Sequence, residues 1–126
     1  MRETFTIEYG LKKGSVKTLW NLVSTPQGLS EWMADRVDAN GNIFTFYWGD
    51  SEEQAELLQQ VPNERIRFHW LYNTPSNYFE IRILTSELTR DITLEVTDHA
   101  DSPEERLDQI RLWDQEIEQL IRRTGL

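Results

Sequence analysis

Cysteine is absent from the 126 residues. This excludes a disulfide framework, thiolate chemistry and any cysteine-ligated zinc or iron–sulfur centre. Positive charge is scarce: 13 Lys and Arg stand against 22 Asp and Glu, a net charge of −9. Non-specific binding to nucleic acid or to an anionic lipid surface needs basic patches, so neither partner is expected. No apolar run approaches the roughly 20 residues that a membrane span requires, so membrane insertion is not expected either. The opening Met1-Arg2-Glu3-Thr4-Phe5 carries no apolar signal-peptide core. The four Pro and six Gly are scattered at apparent turns, and none marks a linker between domains. What is abundant is aromatic: five Trp, five Phe and four Tyr, more than a disordered chain carries. The length suits one domain over residues 1–126 with its own core, and the expected location is cytoplasmic.

Hydrophobic periodicity divides the chain. From Thr4 to Leu11, Phe5, Ile7 and Tyr9 alternate with Thr6 and Glu8, the period of a half-buried strand. Ser15 can cap a helix carrying Val16, Leu19, Trp20 and Val23 at helical spacing. Thr25-Pro26 opens a second short helix with Leu29, Trp32 and Met33 on its apolar face. Strands follow. Asp35 to Asp38 leads into a hairpin turn at Ala39-Asn40-Gly41-Asn42. Asn42 to Trp48 alternates, and the polar stretch Gln54 to Val61 is expected near a sheet edge. Arg65 to Tyr72 puts Ile66, Phe68, Trp70 and Tyr72 on one face, while Tyr78 to Leu84 and Asp91 to Thr97 alternate in the same way. Ser102-Pro103-Glu104-Glu105 starts a long helix, with acids at its positive end, Arg122 and Arg123 at its negative end, and Gly125 as its stop. Leu107, Ile110, Trp113, Ile117, Leu120 and Ile121 form its apolar stripe. One strand, two short helices, about six strands joined by short turns and one long helix predict an α+β fold. A curved antiparallel sheet grips a single C-terminal helix.

These landmarks resemble the START-like (Bet v 1-like, helix-grip, SRPBCC) superfamily, and within it the branch related to the C-terminal domain of the activator of Hsp90 ATPase. The residues that carry the resemblance are Val16-Lys17-Thr18-Leu19-Trp20, Ser24 to Met33, Phe44-Thr45-Phe46-Tyr47-Trp48-Gly49, Val61 to Trp70, and Ile92 to Thr97 ahead of the last helix. The resemblance covers essentially the whole chain. It implies an apolar cavity between sheet and helix. It also implies a role among those of the superfamily: binding lipids, hormones or polyketides, serving as a co-chaperone or, in a minority, catalysis.

On this register the inner face gathers aromatic and aliphatic side chains. The candidate ligand-lining residues are Trp32, Met33, Phe46, Trp48, Phe68, Trp70, Tyr72, Phe79, Ile81, Leu94, Ile110, Trp113 and Ile117. Two readings of this face stand: a pocket for an apolar ligand, or a core that these side chains fill. The buried indole N–H groups of Trp48, Trp70 and Trp113 each need an acceptor, which Tyr72, Gln59, a backbone carbonyl, water or a ligand could supply.

Catalytic patterns are not evident. His69 falls on the outer face beside Arg65 and Arg67, with acids such as Glu80 as expected neighbours, and His99 falls in the loop before the last helix. Their spacing does not suit a shared metal. Asp38 to Gly49 fails as a calcium loop, with Gly41 at position 4 and Gly49 where a bidentate Glu is needed. No serine sits in a nucleophile elbow, and Gly10 to Ser15 lacks phosphate-loop spacing. Glu80, Asp91 and Glu95 point outward, so no cleft with paired carboxylates is expected. The runs Asp50 to Glu53 and Asp101 to Glu105 are expected to be solvated. The leading expectation is a non-catalytic domain, without cofactor or metal, that binds a small hydrophobic or amphipathic ligand. The alternative is a protein-interaction module, a homodimer or a chaperone partner, using Tyr47, Leu58, Leu71, Tyr78 and Leu84 on the outer face. A polyketide cyclase-like enzyme is a weaker alternative and requires a polar constellation inside the cavity.

Overall fold

The computed structural model describes residues 2–11 and 14–125. Met1, Lys12, Lys13 and Leu126 lie outside the described residues, and with them the middle of the Gly10 to Ser15 segment. The elements run β1 (Glu3–Leu11), α1 (Val16–Ser24), α2 (Pro26–Leu29), β2 (Arg36–Asn40), β3 (Ile43–Trp48), β4 (Ser51–Val61), β5 (Arg65–Trp70), β6 (Phe79–Thr85), β7 (Ile92–Ala100) and α3 (Pro103–Thr124). The strands form one seven-stranded sheet in the order β1-β7-β6-β5-β4-β3-β2, with every pair antiparallel. The expected α+β helix-grip architecture is what the chain adopts.

Local chemistry accounts for the helices. Ser15 Oγ accepts from Thr18 N at 3.0 Å and starts α1. Thr25 Oγ1 accepts from Gly28 N at 2.9 Å, with Pro26 in the first turn of α2. Ser102 Oγ accepts from Glu105 N at 3.1 Å, and Gly125 closes α3 in the left-handed conformation that only glycine adopts without cost.

Cross-strand partners stack the apolar residues on one face: Ile81 lies opposite both Ile66 and Val96, Phe68 opposite Phe79, and Val96 opposite Ile7. Phe46, Phe68, Phe79, Ile81 and Leu94 are completely buried there. Their rings interlock, with Phe44 edge-on to Phe68 at 5.1 Å and Phe68 stacked on Phe79 at 5.4 Å.

Helix α3 packs over β7 and β1. Trp113, Ile117 and Leu120 are its buried residues. Two polar contacts pin it to β1: Arg106 to Glu3 at 2.9 Å, and the Tyr9 hydroxyl donating to Asp114 Oδ1 at 2.6 Å. Leu107, expected in the apolar stripe, is instead half-exposed, and Ile110 is only partly buried. Both sit ahead of Trp113, the first α3 residue buried against the sheet.

Several readings are corrected. β4 is an internal strand between β3 and β5, and the edges are β1 and β2. Its polar face is solvated because α3 covers only the other face of the sheet. A bulge between Leu57 and Gln59 shifts its register, placing Gln59 opposite Arg67 on the outer face, away from the indoles. β5 ends at Trp70, so Tyr72 stands in a turn at 66% exposure. β7 runs three residues past Thr97, to Ala100, because Phe5 and Glu3 of β1 pair with Asp98 and Ala100.

His69 and His99 are buried rather than solvated or in a loop. The segment after β5 folds back over the outer face, where the His69 Nδ1–H donates to the carbonyl of Asn77 at 2.8 Å. Glu80 is buried as well and pairs with Arg67 at 3.0 Å, not with His69. Arg67 also covers the Tyr78 ring at 3.9 Å, and Tyr78 meets His99 edge-on at 4.6 Å.

The two short helices are fixed by one close approach. A Cβ on Gly28 would lie 2.0 Å from the Asn21 carbonyl oxygen and 2.6 Å from the Leu22 Cα. Both are backbone atoms that cannot swing aside. Replacing Gly28 with Ala must therefore separate α1 from α2, and we expect a loss of about 1–3 kcal/mol in urea unfolding. A neutral substitution would contradict this packing.

Candidate functional site

Because α3 leans on β7 and β1, it leaves a gap over the ends of β3, β4 and β5. That gap is a half-open cavity of about 380 Å³, at the small end of the range for small-molecule sites. Its aromatic wall is Trp48 from the end of β3, Trp70 from the end of β5, Tyr72 from the following turn and Trp113 from α3. Trp48 and Trp70 lie 6.1 Å apart between ring centres, and Tyr72 stacks on Trp70 at the same separation. Met33 and Leu112 complete the apolar lining. A wider groove of about 690 Å³ shares the wall made by Met33, Trp48, Leu112 and Glu116, and extends along Trp32, Asp35 and α3 as far as Arg123.

The structure separates the sequence-predicted lining residues into two sets. Met33, Trp48, Trp70, Tyr72 and Trp113 border the cavity, and Trp32 borders the outer groove. Phe46, Phe68, Phe79, Ile81, Leu94 and Ile117 are packed beneath it in the filled core. Ile110 borders neither space. Three indoles satisfy their N–H groups within the protein: Trp32 on the Leu22 carbonyl at 2.8 Å, Trp48 on the Met33 carbonyl at 2.9 Å, and Trp113 on Asp98 Oδ2 at 2.9 Å. Among the described residues, none accepts from the Trp70 indole.

The cavity also holds polar groups that sequence reasoning missed: Glu53, Asp98, Gln109 and Glu116. Asp98 continues the inward alternation of Ile92, Leu94 and Val96, a signal hidden by ending the strand at Thr97. Glu116 lies three residues after Trp113 and four before Leu120, on the same side of α3. Glu53, expected in a solvated run, belongs to β4 and reaches the cavity wall.

Burial governs the electrostatics. It pushes the Asp98 carboxyl up to about 6, with Glu105 adding to the push, while the Trp113 indole and the His99 N–H pull the other way. It pushes Glu116 up to about 8, with the Asp98 charge as a second cause. Near neutral pH the two acids therefore divide: Asp98 is largely ionised on its two donors and Glu116 is largely protonated. Among the described residues no group of three His, Asp or Glu side chains is placed to hold a metal ion, and no helix is long and apolar enough to cross a membrane.

Raised carboxyl pKa values fix the sign of a pH effect. The folded state holds these protons more tightly than the unfolded chain, so the stabilisation is full below the ordinary carboxylate pKa and is lost as pH rises towards 6 for Asp98 and 8 for Glu116. Glu116→Gln, which cannot ionise, should gain stability over the parent protein as pH rises from 5 to 8.5, reaching about 1 kcal/mol or more by urea unfolding. Parallel stability curves for the two proteins would contradict this assignment.

Comparison with known proteins agrees with the geometry. A family model described as a START-like superfamily domain matches residues 1–126. A Bacteroides fragilis protein solved by solution NMR shares 38% identity over 98% of this chain and 91% of its own, with a TM-score of 0.70. The Aha1 dimer from Colwellia psychrerythraea is 13% identical, with 96% of each chain covered and a TM-score of 0.76. DynU16, from the dynemicin biosynthetic locus, is 19% identical over 97% of this chain with a TM-score of 0.79, and this chain spans 48% of its length. These last two likenesses are of fold alone. No match is found among curated proteins. With the whole chain matched and the sheet gripping its C-terminal helix, the protein belongs to the START-like superfamily.

Proposed function

We propose that this protein is a non-catalytic binding domain that takes a small hydrophobic or amphipathic ligand into the cavity between the sheet and α3. One observation carries the reading: Trp48, Trp70, Tyr72 and Trp113 border open space, while the aromatic core beneath them is fully packed. Aromatic surface that the fold could bury is left bordering a cavity. Binding there would gain about 25 cal/mol for each Å² of apolar surface removed from water.

The pair Asp98 and Glu116 favours a second reading, an acid–base enzyme, because it puts a protonated and an ionised carboxyl in one cavity. Tyr72 is the one hydroxyl among the described cavity-lining residues, and Asp98 already accepts from Trp113 and the His99 N–H. The interaction-module reading finds less support. Tyr47 lies under Arg36 at 4.2 Å and Tyr78 under Arg67, so Leu58 on β4, Leu71 in the turn after β5 and Leu84 on β6 remain as exposed residues on different elements.

Titration with the neutral fluorophore 1-aminoanthracene tests the proposal. Binding should quench tryptophan emission with a micromolar dissociation constant, and Leu112→Trp, at a half-exposed position on the cavity wall, should weaken it by about tenfold or more. Dye recovered unaltered after prolonged incubation is also expected. Absence of binding, or binding indifferent to Leu112→Trp, would count against the cavity as the site.

A further inference from the structure

We infer that the cavity selects an organic ammonium: a protonated or quaternary amine on a short apolar body. This deepens the ligand-binding reading and rests on it. The first observation is a surplus of acceptors. Gln109 gives its Nε2–H to Glu105 at 3.0 Å, while its Oε1 is buried without a partner among the described residues. The Glu116 carboxyl makes no hydrogen bond or ion pair with any described residue, although it forms part of the wall between cavity and groove. Asp98 lies within the same lining. Among the described residues no Lys or Arg borders the cavity, and Arg123 borders only the outer groove. The buried Gln109 Oε1 left without a donor is costly, and the largely ionised Asp98 adds negative charge to the same lining, so an occupant that brings donors or positive charge relieves both.

The second observation is independent of the acids. Trp48, Trp70, Tyr72 and Trp113 line the space from the end of β3, the end of β5 and its following turn, and α3. Aromatic faces attract cations, by about 0.5–2 kcal/mol each depending on desolvation. An aromatic wall combined with carboxylates is chemistry suited to an ammonium. An anionic headgroup would meet the carboxylates of Glu53 and Asp98 with no countercharge among the described lining residues. A bare metal ion is disfavoured because, among the described residues, no group of three ligating side chains is placed for it. A neutral alcohol offers a single donor and no charge.

Charged and titratable groups face Glu116 from several elements, among them Tyr9 of β1, whose hydroxyl donates to Asp114. Glu53 comes from β4, Tyr72 follows β5, and Asp98 comes from β7. Glu31 and Asp35 lie beyond α2 along the groove, and Glu118 and Arg123 lie on α3 itself. Acids dominate this set. Because Glu116 is largely protonated at pH 7, an ammonium that pairs with it must displace its proton into solution. A neutral ligand displaces none.

Calorimetric titration with octyltrimethylammonium, octylamine, 1-octanol and octanoate tests this, all at pH 7 in two buffers of different ionisation enthalpy. The apolar body is the same throughout and only the head changes. Both ammonium probes should bind about tenfold or more tighter than octanol, a difference of about 1.4 kcal/mol, with octanoate weakest. Their binding heat should depend on the buffer, reporting release of roughly one proton per ligand. At pH 8.5 Glu116→Gln should weaken the ammonium probes about tenfold and leave octanol within about twofold. Asp98→Asn, which keeps an acceptor for the Trp113 indole, should act in the same direction. Octanol or octanoate binding as tightly as the amines would overturn the ammonium inference while leaving an apolar site in place. No binding of any probe at millimolar concentration would overturn both.

Discussion

The seating of α3 governs the rest of the structure. Trp113 anchors it by filling the space beside Phe79, 5.5 Å away between ring centres, and by donating its indole N–H to Asp98 on β7. Ile117 and Leu120 continue the contact, and Glu3 and Tyr9 hold the helix towards β1. A helix fixed on that half of the sheet cannot also cover the ends of β3, β4 and β5. The cavity is the space left over. The Trp113–Asp98 bond thus both attaches the helix and gives the cavity a charged wall.

The cost of that arrangement is electrostatic. A carboxylate at an inward position of β7 loses water, and the Trp113 indole and the His99 N–H compensate only in part. A second acid on α3, facing the first, is held protonated instead. Such groups destabilise a fold above their pKa, whereas an apolar residue at either position would not. Strain of this kind, placed in a cavity walled by tryptophan, supports the proposed binding role.

Most of the architecture was legible in the sequence because two periods dominate it. Alternation in β3, β5, β6 and β7 and the helical stripe around Trp113 and Ile117 leave little freedom for the layer arrangement. Ser15, Thr25 and Ser102 cap the helices that they were expected to cap. What could not be read depended on pairing between distant segments. Asp98 has poor strand propensity, and it and His99 are in a strand because β1, more than ninety positions earlier, pairs with them. The bulge in β4 reverses Gln59 without any glycine to announce it. The burial of His69 comes from a turn that folds back over the outer face. Trp48, Trp70 and Trp113 followed from periodicity, whereas Asp98, a charged residue at the end of a strand, reads as a loop, and Glu116 reads as the polar flank of the α3 stripe although it shares a side with Trp113 and Leu120.

The central claim is that Asp98 and Glu116 are desolvated by the fold in one cavity. Carboxyl carbon NMR of the protein labelled at Asp and Glu, followed from pH 3 to pH 9, measures it directly. The account predicts one aspartate titrating near 6 and one glutamate near 8, absent from the spectra of Asp98→Asn and Glu116→Gln respectively. If both carboxyls titrated at the ordinary values of 3.8 and 4.5, the cavity would be an open, well-hydrated cleft and the account would be contradicted.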